Sequence, residues 1–323
     1  MSATFRSLKL HNYRVWFIGA IVSNAGSWMQ STAQNWVVLT ELTDADAAAV
    51  GITMALQFAP PLLLVPVTGW VADRFDRRKL LLLSQTILAT LALAIGVLLI
   101  TGIMTLPIML CFAAALGLVT AFDNPARQAF VSDLVGQENM SNAVALNSAS
   151  FNVARLVGPA LAGVLIIAVG TGWVFVINSG TFAAMIIALL LIRVRDLTPR
   201  PPRGTQNRLS EGFRYVSGRP DLLMVFLIVG VVGAFGMNFP IIASTMALEF
   251  DQGADGFGLL NSVLAIGSLA GALLAARRAE ARVRVVILGA GLFTVASFVS
   301  AFMPTYWLYA ITLTLTGFSV VTM

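Results

Sequence analysis

A polar stripe inside an apolar stretch is the first place where this chain could do chemistry. The stripe consists of Ser148, Asn152, Arg155 and Pro159. Their helical spacing places them on one face of a predicted helix over residues 142–168. An arginine inside an apolar helix costs from about 3 to more than 10 kcal/mol, so Arg155 requires a partner or water. Either Arg155 pairs with Asp123 or a backbone carbonyl and fixes helix packing, or it serves a substrate or coupling site.

A second polar face is expected near the N-terminus. It consists of Asn24, Trp28, Ser31 and Asn35, and Gln57 follows as an isolated polar residue in the next apolar span. Such side chains either line a water-filled cavity or form hydrogen bonds between helices, and the sequence leaves both interpretations open. These residues, together with Ser148, Asn152 and Arg155, are the candidates for a substrate or proton pathway.

The chain contains few of the residues that catalysis or cofactor binding usually requires. There is one histidine, His11, and one cysteine, Cys111, so neither a disulfide nor a cysteine-based metal site forms within one chain. The sequence contains no G-x-x-x-x-G-K-[ST] phosphate loop and no H-E-x-x-H zinc motif. We expect no enzyme activity, no metal and no cofactor, and any transport is expected to draw its energy from an ion gradient.

The elements that position these residues are predicted to be membrane-spanning helices. Of the 323 residues, 58% are hydrophobic and 11% are charged, whereas soluble proteins average about 25% charged residues. Spans of roughly 20 apolar residues lie near residues 15–39, 48–71, 80–101, 105–122, 142–168, 173–192, 222–247, 257–276, 284–303 and 305–323. The chain is therefore predicted to be an all-α polytopic membrane protein with about ten helices.

Charged residues alternate between the two sides of these spans. All 20 Lys and Arg residues except Arg155 lie at the N-terminus or in even-numbered gaps between spans. The odd-numbered gaps carry acids only, within residues 41–46 and 249–255. Because Lys and Arg mark the cytoplasmic side, the N-terminus is predicted to be cytoplasmic. Positive charge spread along a membrane surface also argues against a nucleic-acid partner.

A polar segment divides the predicted helices into two groups. Residues 1–192 hold six spans, residues 193–221 form a cytosolic linker, and residues 222–323 hold about four spans. Within the linker, Leu209, Phe213 and Val216 have the spacing of an amphipathic interfacial helix, and an unstructured tether is the alternative. Since the first group has six helices, the second is expected to be a truncated half or a fragment of one.

A charged loop between the second and third spans carries the clearest motif, Gly69-Trp70-Val71-Ala72-Asp73-Arg74-Phe75-Asp76-Arg77-Arg78-Lys79. It resembles the loop motif of the major facilitator superfamily, G-x-x-x-D-R-x-G-R-R-K, and departs from it at Asp76, where glycine is usual. An ordinary positively charged loop would explain the arginines but not Gly69 and Asp73 at their spacing. The resemblance implies a major facilitator fold of two six-helix halves.

The same resemblance implies a conformational latch. Asp73 and Arg77 would form a charge relay with Asp123 at the cytosolic end of the fourth helix and hold the outward-facing state. Gly69 would permit close helix packing, and Arg78 belongs to the arginine cluster that pairs with acids.

The polar stripe continues into Gly158-Pro159-Ala160-Leu161-Ala162-Gly163. This stretch resembles the helix 5 motif of antiporters in the superfamily, which ends G-P-x-x-G-G, with Ala162 in place of a glycine. Gly158, Pro159 and Gly163 imply close packing and a bend in the helix. The chain as a whole is similar to the bacterial exporter branch that includes the enterobactin exporter and macrolide efflux proteins, and this favours export.

The resemblance therefore implies a secondary active transporter in the bacterial inner membrane. It would export a small amphipathic organic solute, of drug or siderophore type, by proton antiport through alternating access. Asp123, Glu41 or a coupling group elsewhere in the chain would carry the proton. The expected partners are the solute, protons and the lipid bilayer, with an outer-membrane channel system as a candidate, and the expected state is a monomer. Two alternatives remain: uptake of a nutrient by symport, and a transport-inactive membrane scaffold or sensor.

Overall fold

The described part of the chain is built from helices joined by short turns. The computed structural model describes residues 3–198, 217–220, 222–224, 227, 239–276 and 283–322. These residues contain no strand, which confirms the predicted all-α class. The chain folds as two compact units, Met1–Pro201 and Pro202–Met323. The predicted amphipathic helix with Leu209, Phe213 and Val216 lies outside the described residues.

The first unit holds the candidate residues. Its α-helices are α1 (His11–Thr40), α2 (Ala47–Leu63), α3 (Val65–Arg74), α4 (Arg77–Ile100), α5 (Leu106–Leu134), α6 (Gln137–Val169) and α7 (Thr171–Leu191). Two 3-10 helices, Ala3–Lys9 and Val194–Asp196, flank this set. In the second unit, the α-helices are α8 (Phe239–Glu249), α9 (Ala254–Ala276), α10 (Val283–Ser300) and α11 (Tyr306–Thr322).

Several helices are long and apolar enough to cross a membrane. Among the described residues these are α4, α5, α6, α7 and residues 254–271 of α9, and α2 with α3 qualifies as one bent span. With 30 residues α1 is also long enough, but it is not in that group and carries the polar run from Ser23 to Asn35. Large apolar side chains such as Leu62 and Ile167 are exposed on these helices, as expected for surfaces that face lipid.

Helix α5 extends well past its predicted end near residue 122. It continues to Leu134, so Arg127 lies within a helix rather than in a loop as predicted. Asp123 and Arg127 are one helical turn apart and form an ion pair. The pair satisfies both charges, which explains how the helix continues where the apolar pattern stops.

The second predicted span is broken into α2 and α3, which meet at an angle of 58°. Pro60 and Pro61 lie inside α2, and Pro66 lies in the first turn of α3. Proline has no N–H donor and its ring displaces the carbonyl one turn before it, so the helix bends here. The bend lets α3 pack separately against α5.

A buried aromatic cluster holds the ends of α1, α5 and α6 together. The Trp16 and Phe130 rings pack edge to face with their centroids 5.2 Å apart. The Tyr13 hydroxyl donates a 2.7 Å hydrogen bond to the Ala143 carbonyl. Nearby, the Asn12 side chain exchanges two 2.9 Å hydrogen bonds with the backbone of Arg193. These contacts fix the helix ends relative to one another, and so they position the polar residues further along each helix.

Gly117 lets α5 cross α2 at backbone distance. A Cβ atom at this position would lie 2.5 Å from the Gln57 carbonyl oxygen and 2.8 Å from that of Leu56. We expect Gly117→Ala to destabilise the protein by about 1–3 kcal/mol, because backbone atoms cannot rotate away from the added methyl group. Gly180 is the matched control, since a Cβ there meets no described atom within 4 Å. Thermal unfolding in detergent checks this, and equal midpoints for Gly117→Ala and Gly180→Ala would contradict the crossing.

Glycines also bring two helices of the second unit together. Helix α9 packs along α11, where Gly267 and Gly271 face the backbone of Thr314 and Phe318. In return, Gly317 faces the backbone of Leu264. Small residues one turn apart allow such close approach between membrane helices.

Candidate functional site

The first unit contains a polar cavity of about 610 Å³. This volume is within the range of small-molecule sites, about 300–1,000 Å³. The predicted candidates that line it are Asn24, Ser31, Gln57, Asp123, Ser148 and Asn152. Three other candidates, Trp28, Asn35 and Arg155, are not among its lining residues, and Asn35 is buried in the helix packing.

Several polar lining residues escaped the sequence analysis. They are Ser27, Gln30, Thr120, Asn124, Arg127, Gln128, Asn147 and Asn178. Most are neighbours of predicted candidates on the same helices, so the missing information was which face of each helix turns inward. Arg127 had a usable signal, because it follows Asp123 by four residues and this spacing brings opposite charges together on a helix.

The wall of the cavity contains a buried ion pair. Asp123 is 3% exposed, and its Oδ1 accepts hydrogen bonds from Ser84 Oγ (2.5 Å) and Gln85 Nε2 (2.8 Å). Its Oδ2 accepts from Arg127 Nε at 3.2 Å. The three donors come from α4 and α5, so the packing of these helices fixes the carboxylate at the cavity surface.

Arg127 also reaches across the cavity wall to α1. Its Nη1 donates to Asn24 Oδ1 at 3.4 Å, and its Cζ lies 5.9 Å from the centre of the Trp16 ring. The guanidinium therefore joins α5 to α1, and a change at Asp123 reaches both helices.

An amide pair extends the polar surface between α1 and α7. Asn178 Nδ2 donates to Gln30 Oε1 at 2.6 Å, and Thr181 Oγ1 donates to Asn178 Oδ1 at 2.7 Å. Gln30 and Asn178 are both buried, and both line the cavity.

The charged loop makes contacts different from those expected. Arg77 Nη1 donates to Asp133 Oδ1 at 2.8 Å and to the Ala129 carbonyl at 3.0 Å. Arg77 Nη2 also lies 3.5 Å from Asp73 Oδ1, but the Asp73 side chain is 78% exposed. The structure therefore corrects the expected relay with Asp123, because Asp133 provides the buried carboxylate for Arg77.

Arg78 binds backbone carbonyls rather than acids. Its Nε donates to the Leu189 carbonyl at 2.8 Å, and its Nη2 donates to the Leu190 carbonyl at 3.4 Å. These carbonyls belong to the last turn of α7, where a positive charge favourably meets the helix dipole. Arg78 thus ties the start of α4 to the end of α7.

Of two other motif positions, Asp76 has a clear local role and Gly69 lacks the close contact that was expected. Asp76, which replaces the usual glycine, caps α4, because its Oδ1 accepts from the Lys79 backbone N–H at 3.0 Å. A Cβ at Gly69 would meet no described atom within 4 Å. Within the described residues, no close helix packing is found at Gly69.

Arg155 lies beside an aromatic ring rather than beside Asp123. Its Cζ is 5.5 Å from the centre of the Trp28 ring. The Trp28 ring in turn meets Phe151 edge to face, with centroids 5.7 Å apart. Phe151 lines the cavity, so Arg155 is one side chain removed from the lining.

Close packing of α1 and α6 occurs at the predicted bend of α6. A Cβ at Gly158 would lie 2.5 Å from Trp28 Cβ and 3.0 Å from the Met29 backbone nitrogen. Pro159 and Gly163 are also buried, and Pro159 lies within the continuous helix α6.

The chain resembles known families along its whole length. The model of a family described as "Transmembrane secretion effector" matches residues 2–323. The staphyloferrin A transporter of Staphylococcus aureus is 24% identical over 269 residues, which cover 81% of this chain and 66% of that protein. The enterobactin exporter EntS of Salmonella typhi is 27% identical, over 72% of this chain and 56% of the relative. The multidrug efflux pump Tap of Mycolicibacterium fortuitum is 28% identical, over 93% of this chain and 75% of that protein.

The fold also matches solved transporter structures. A bacterial homologue of the human lysosomal transporter Spinster, inward-facing and unoccupied, gives a TM-score of 0.66 at 16% identity, covering 100% of this chain and 74% of that one. The D-xylose-proton symporter gives a TM-score of 0.64 at 13% identity, covering 97% of this chain and 80% of that one. These likenesses support the fold alone. The chain spans less than two thirds of the length of the staphyloferrin A transporter and of the enterobactin exporter.

Proposed function

The chain belongs to the transmembrane secretion effector family of the major facilitator superfamily, and on that premise we propose that it exports a small amphipathic organic solute by proton antiport. Relatives named for staphyloferrin A, enterobactin and multidrug efflux support a solute of the siderophore or drug type. Membership in this family supports transport rather than enzymatic catalysis.

The observation that carries the proposal is the buried Asp123–Arg127 pair at the cavity wall. A carboxylate held by a guanidinium and two neutral donors loses its main attraction to Arg127 when a proton binds. Arg127 is then free to move on the Asn24 side of the cavity. Because Asp123, Arg127 and Asn24 all line the cavity, a bound solute and a bound proton would change the same contacts. Antiport requires such a link between proton binding and solute binding.

Glu41, the other expected proton carrier, has a less suitable position. It is exposed at the end of α1, where its Oε2 accepts from Thr171 Oγ1 at 3.2 Å. It is also not among the residues that line the cavity. We therefore assign proton coupling to Asp123.

The conformational latch belongs to the cluster around Arg77 in this proposal. Arg77 joins α3, α4 and α5 through Asp73, the Ala129 carbonyl and Asp133. Movement of these helices would break ion pairs at a side chain that is only 13% exposed. Rupture of this cluster would accompany each change of access.

The proposal places the protein in a bacterial inner membrane as a multi-pass monomer with a cytoplasmic N-terminus. The distribution of Lys and Arg supports this orientation. Solute released on the far side would pass to an outer-membrane channel system where one is present.

Proton release from inside-out vesicles tests the proposed function. Vesicles that contain the protein are given an acidic lumen, and siderophores, macrolides and other amphipathic compounds are added outside while a dye reports the lumen pH. We expect at least one compound to collapse the gradient in a concentration-dependent way, and no such response in vesicles that lack the protein. Correctly inserted protein that gives no response to any compound would contradict antiport, whereas a response only to compounds loaded in the lumen would indicate uptake.

A further inference from the structure

Arg155 continues the α6 face that lines the cavity. The lining residues of α6 recur through Asn147 and Ser148 to Phe151 and Asn152. Arg155 follows at the next helical step, and its side chain is partly accessible. One turn later Gly158 brings α6 against α1. Arg155 is therefore the last polar residue of this face before the two helices close on each other.

The guanidinium of Arg155 is held by an aromatic face and not by an acid. Within the described residues, its contact is the Trp28 ring at 5.5 Å, and no carboxylate lies within ion-pair distance. By contrast, Arg77 and Arg127 each have a carboxylate partner. A cation near a tryptophan ring is attracted by the π electrons of the ring, and within the described residues the N–H donors of Arg155 have no acceptor.

The charges near the cavity leave an excess of positive charge at Arg155. Asp123 and Arg127 neutralise each other, whereas Arg155 has no such partner among the described residues. A cation in a membrane-spanning helix is costly without a counter-charge. Planar oxyanions such as carboxylates match the paired donors of a guanidinium, and such charge-assisted bonds are roughly twice as strong as neutral ones.

We propose that Arg155, Trp28 and Phe151 form an anion subsite that selects solutes carrying a carboxylate next to an aromatic or apolar group. This inference rests on the proposed export function and narrows its substrate class to organic anions. The carboxylate would bind the edge of the Arg155 guanidinium. The apolar part would contact Phe151, which is exposed to the cavity.

Paired ligands that differ only in charge test the subsite. Equilibrium binding to the purified protein is measured for aromatic carboxylates, from benzoate to 1-pyrenebutyrate, each beside its neutral amide. We expect at least one carboxylate to bind about tenfold or more tightly than its amide. Arg155→Gln is expected to remove this preference by weakening carboxylate binding alone, and Arg155→Lys to keep part of it.

A second arginine–tryptophan pair provides the matched control. Arg74 Cζ lies 5.3 Å from the centre of the Trp70 ring, and neither residue lines the cavity. Arg74→Gln should leave the carboxylate preference unchanged. The subsite is overturned if no carboxylate binds more tightly than its amide, or if Arg155→Gln weakens both ligands equally. Carboxylate preference without proton release in vesicles would retain the subsite and refute antiport.

Discussion

Asp123→Asn is expected to lower solute-dependent proton release by about 100-fold or more while the protein still inserts in the membrane. Loss of a positioned proton carrier commonly costs about 10²–10⁴-fold in rate. Asparagine keeps the size of the side chain but cannot exchange a proton or hold Arg127 by charge. The measurement is the rate of lumen pH change in inside-out vesicles at matched protein levels. Asp44→Asn, an exposed acid in the loop after α1, is the control and should behave as the unaltered protein.

A double variant separates coupling from structural support. Asp123→Asn alone leaves Arg127 as a buried charge without its carboxylate, and breaking such a pair costs about 3–5 kcal/mol. Combining it with Arg127→Gln removes the uncompensated charge. We expect the double variant to recover stability but not proton release. Recovery of proton release in the double variant would mean that the pair only supports the fold.

Removal of the Asp133 carboxylate is expected to have the second large effect. Arg77 and Asp133 side chains are 13% and 8% exposed, so Asp133→Ala leaves a mostly buried guanidinium without its closest acid. We expect a loss of about 3–5 kcal/mol in the free energy of unfolding. Titration from a mild detergent into SDS measures this loss.

Double-mutant cycles decide which acid serves Arg77. The coupling energy between Arg77 and Asp133 should exceed about 1.5 kcal/mol, whereas coupling between Arg77 and Asp123 should stay below about 0.5 kcal/mol. The two carboxylates are on the same helix, so each is the matched control for the other. Stronger coupling to Asp123 would contradict the contacts in the structure and restore the relay expected from the motif.

The helical class was predictable because membrane helices leave a long, simple signal. A stretch of about 20 apolar residues must satisfy its backbone polar groups internally, and a helix does this without distant partners. The end of α5 was not predictable from apolarity, because the helix continues through Asp123 and Arg127 to Leu134. Its polar end is stabilised by an ion pair and by packing on α4.

The partner of Arg77 is decided by the packing of the neighbouring helices α4 and α5 and not by the motif alone. Helices α4 and α5 are neighbours joined by a short connection, so the first turn of α4 lies beside the last turn of α5. Asp133 is in that last turn, whereas Asp123 is ten residues earlier, or about 15 Å along the helix. The length of α5 in the structure therefore places Asp133, and not Asp123, beside Arg77. No feature of the sequence indicated that Arg155 faces Trp28, since that contact depends on how α1 and α6 are rotated.

The carbonyl contacts of Arg78 give the charged loop a fixed point. Arg78 holds the end of α7 through backbone carbonyls, which neither titrate nor leave with a moving side chain. The adjacent Arg77 instead binds the side-chain carboxylates of Asp73 and Asp133. Under the proposed function, Arg78 would be the fixed contact and the ion pairs of Arg77 would be the contacts that break when access changes. In the proposed transport cycle, the start of α4 would stay attached to the end of α7 while the ion pairs of Arg77 break, so the loop would return to the same position after each cycle.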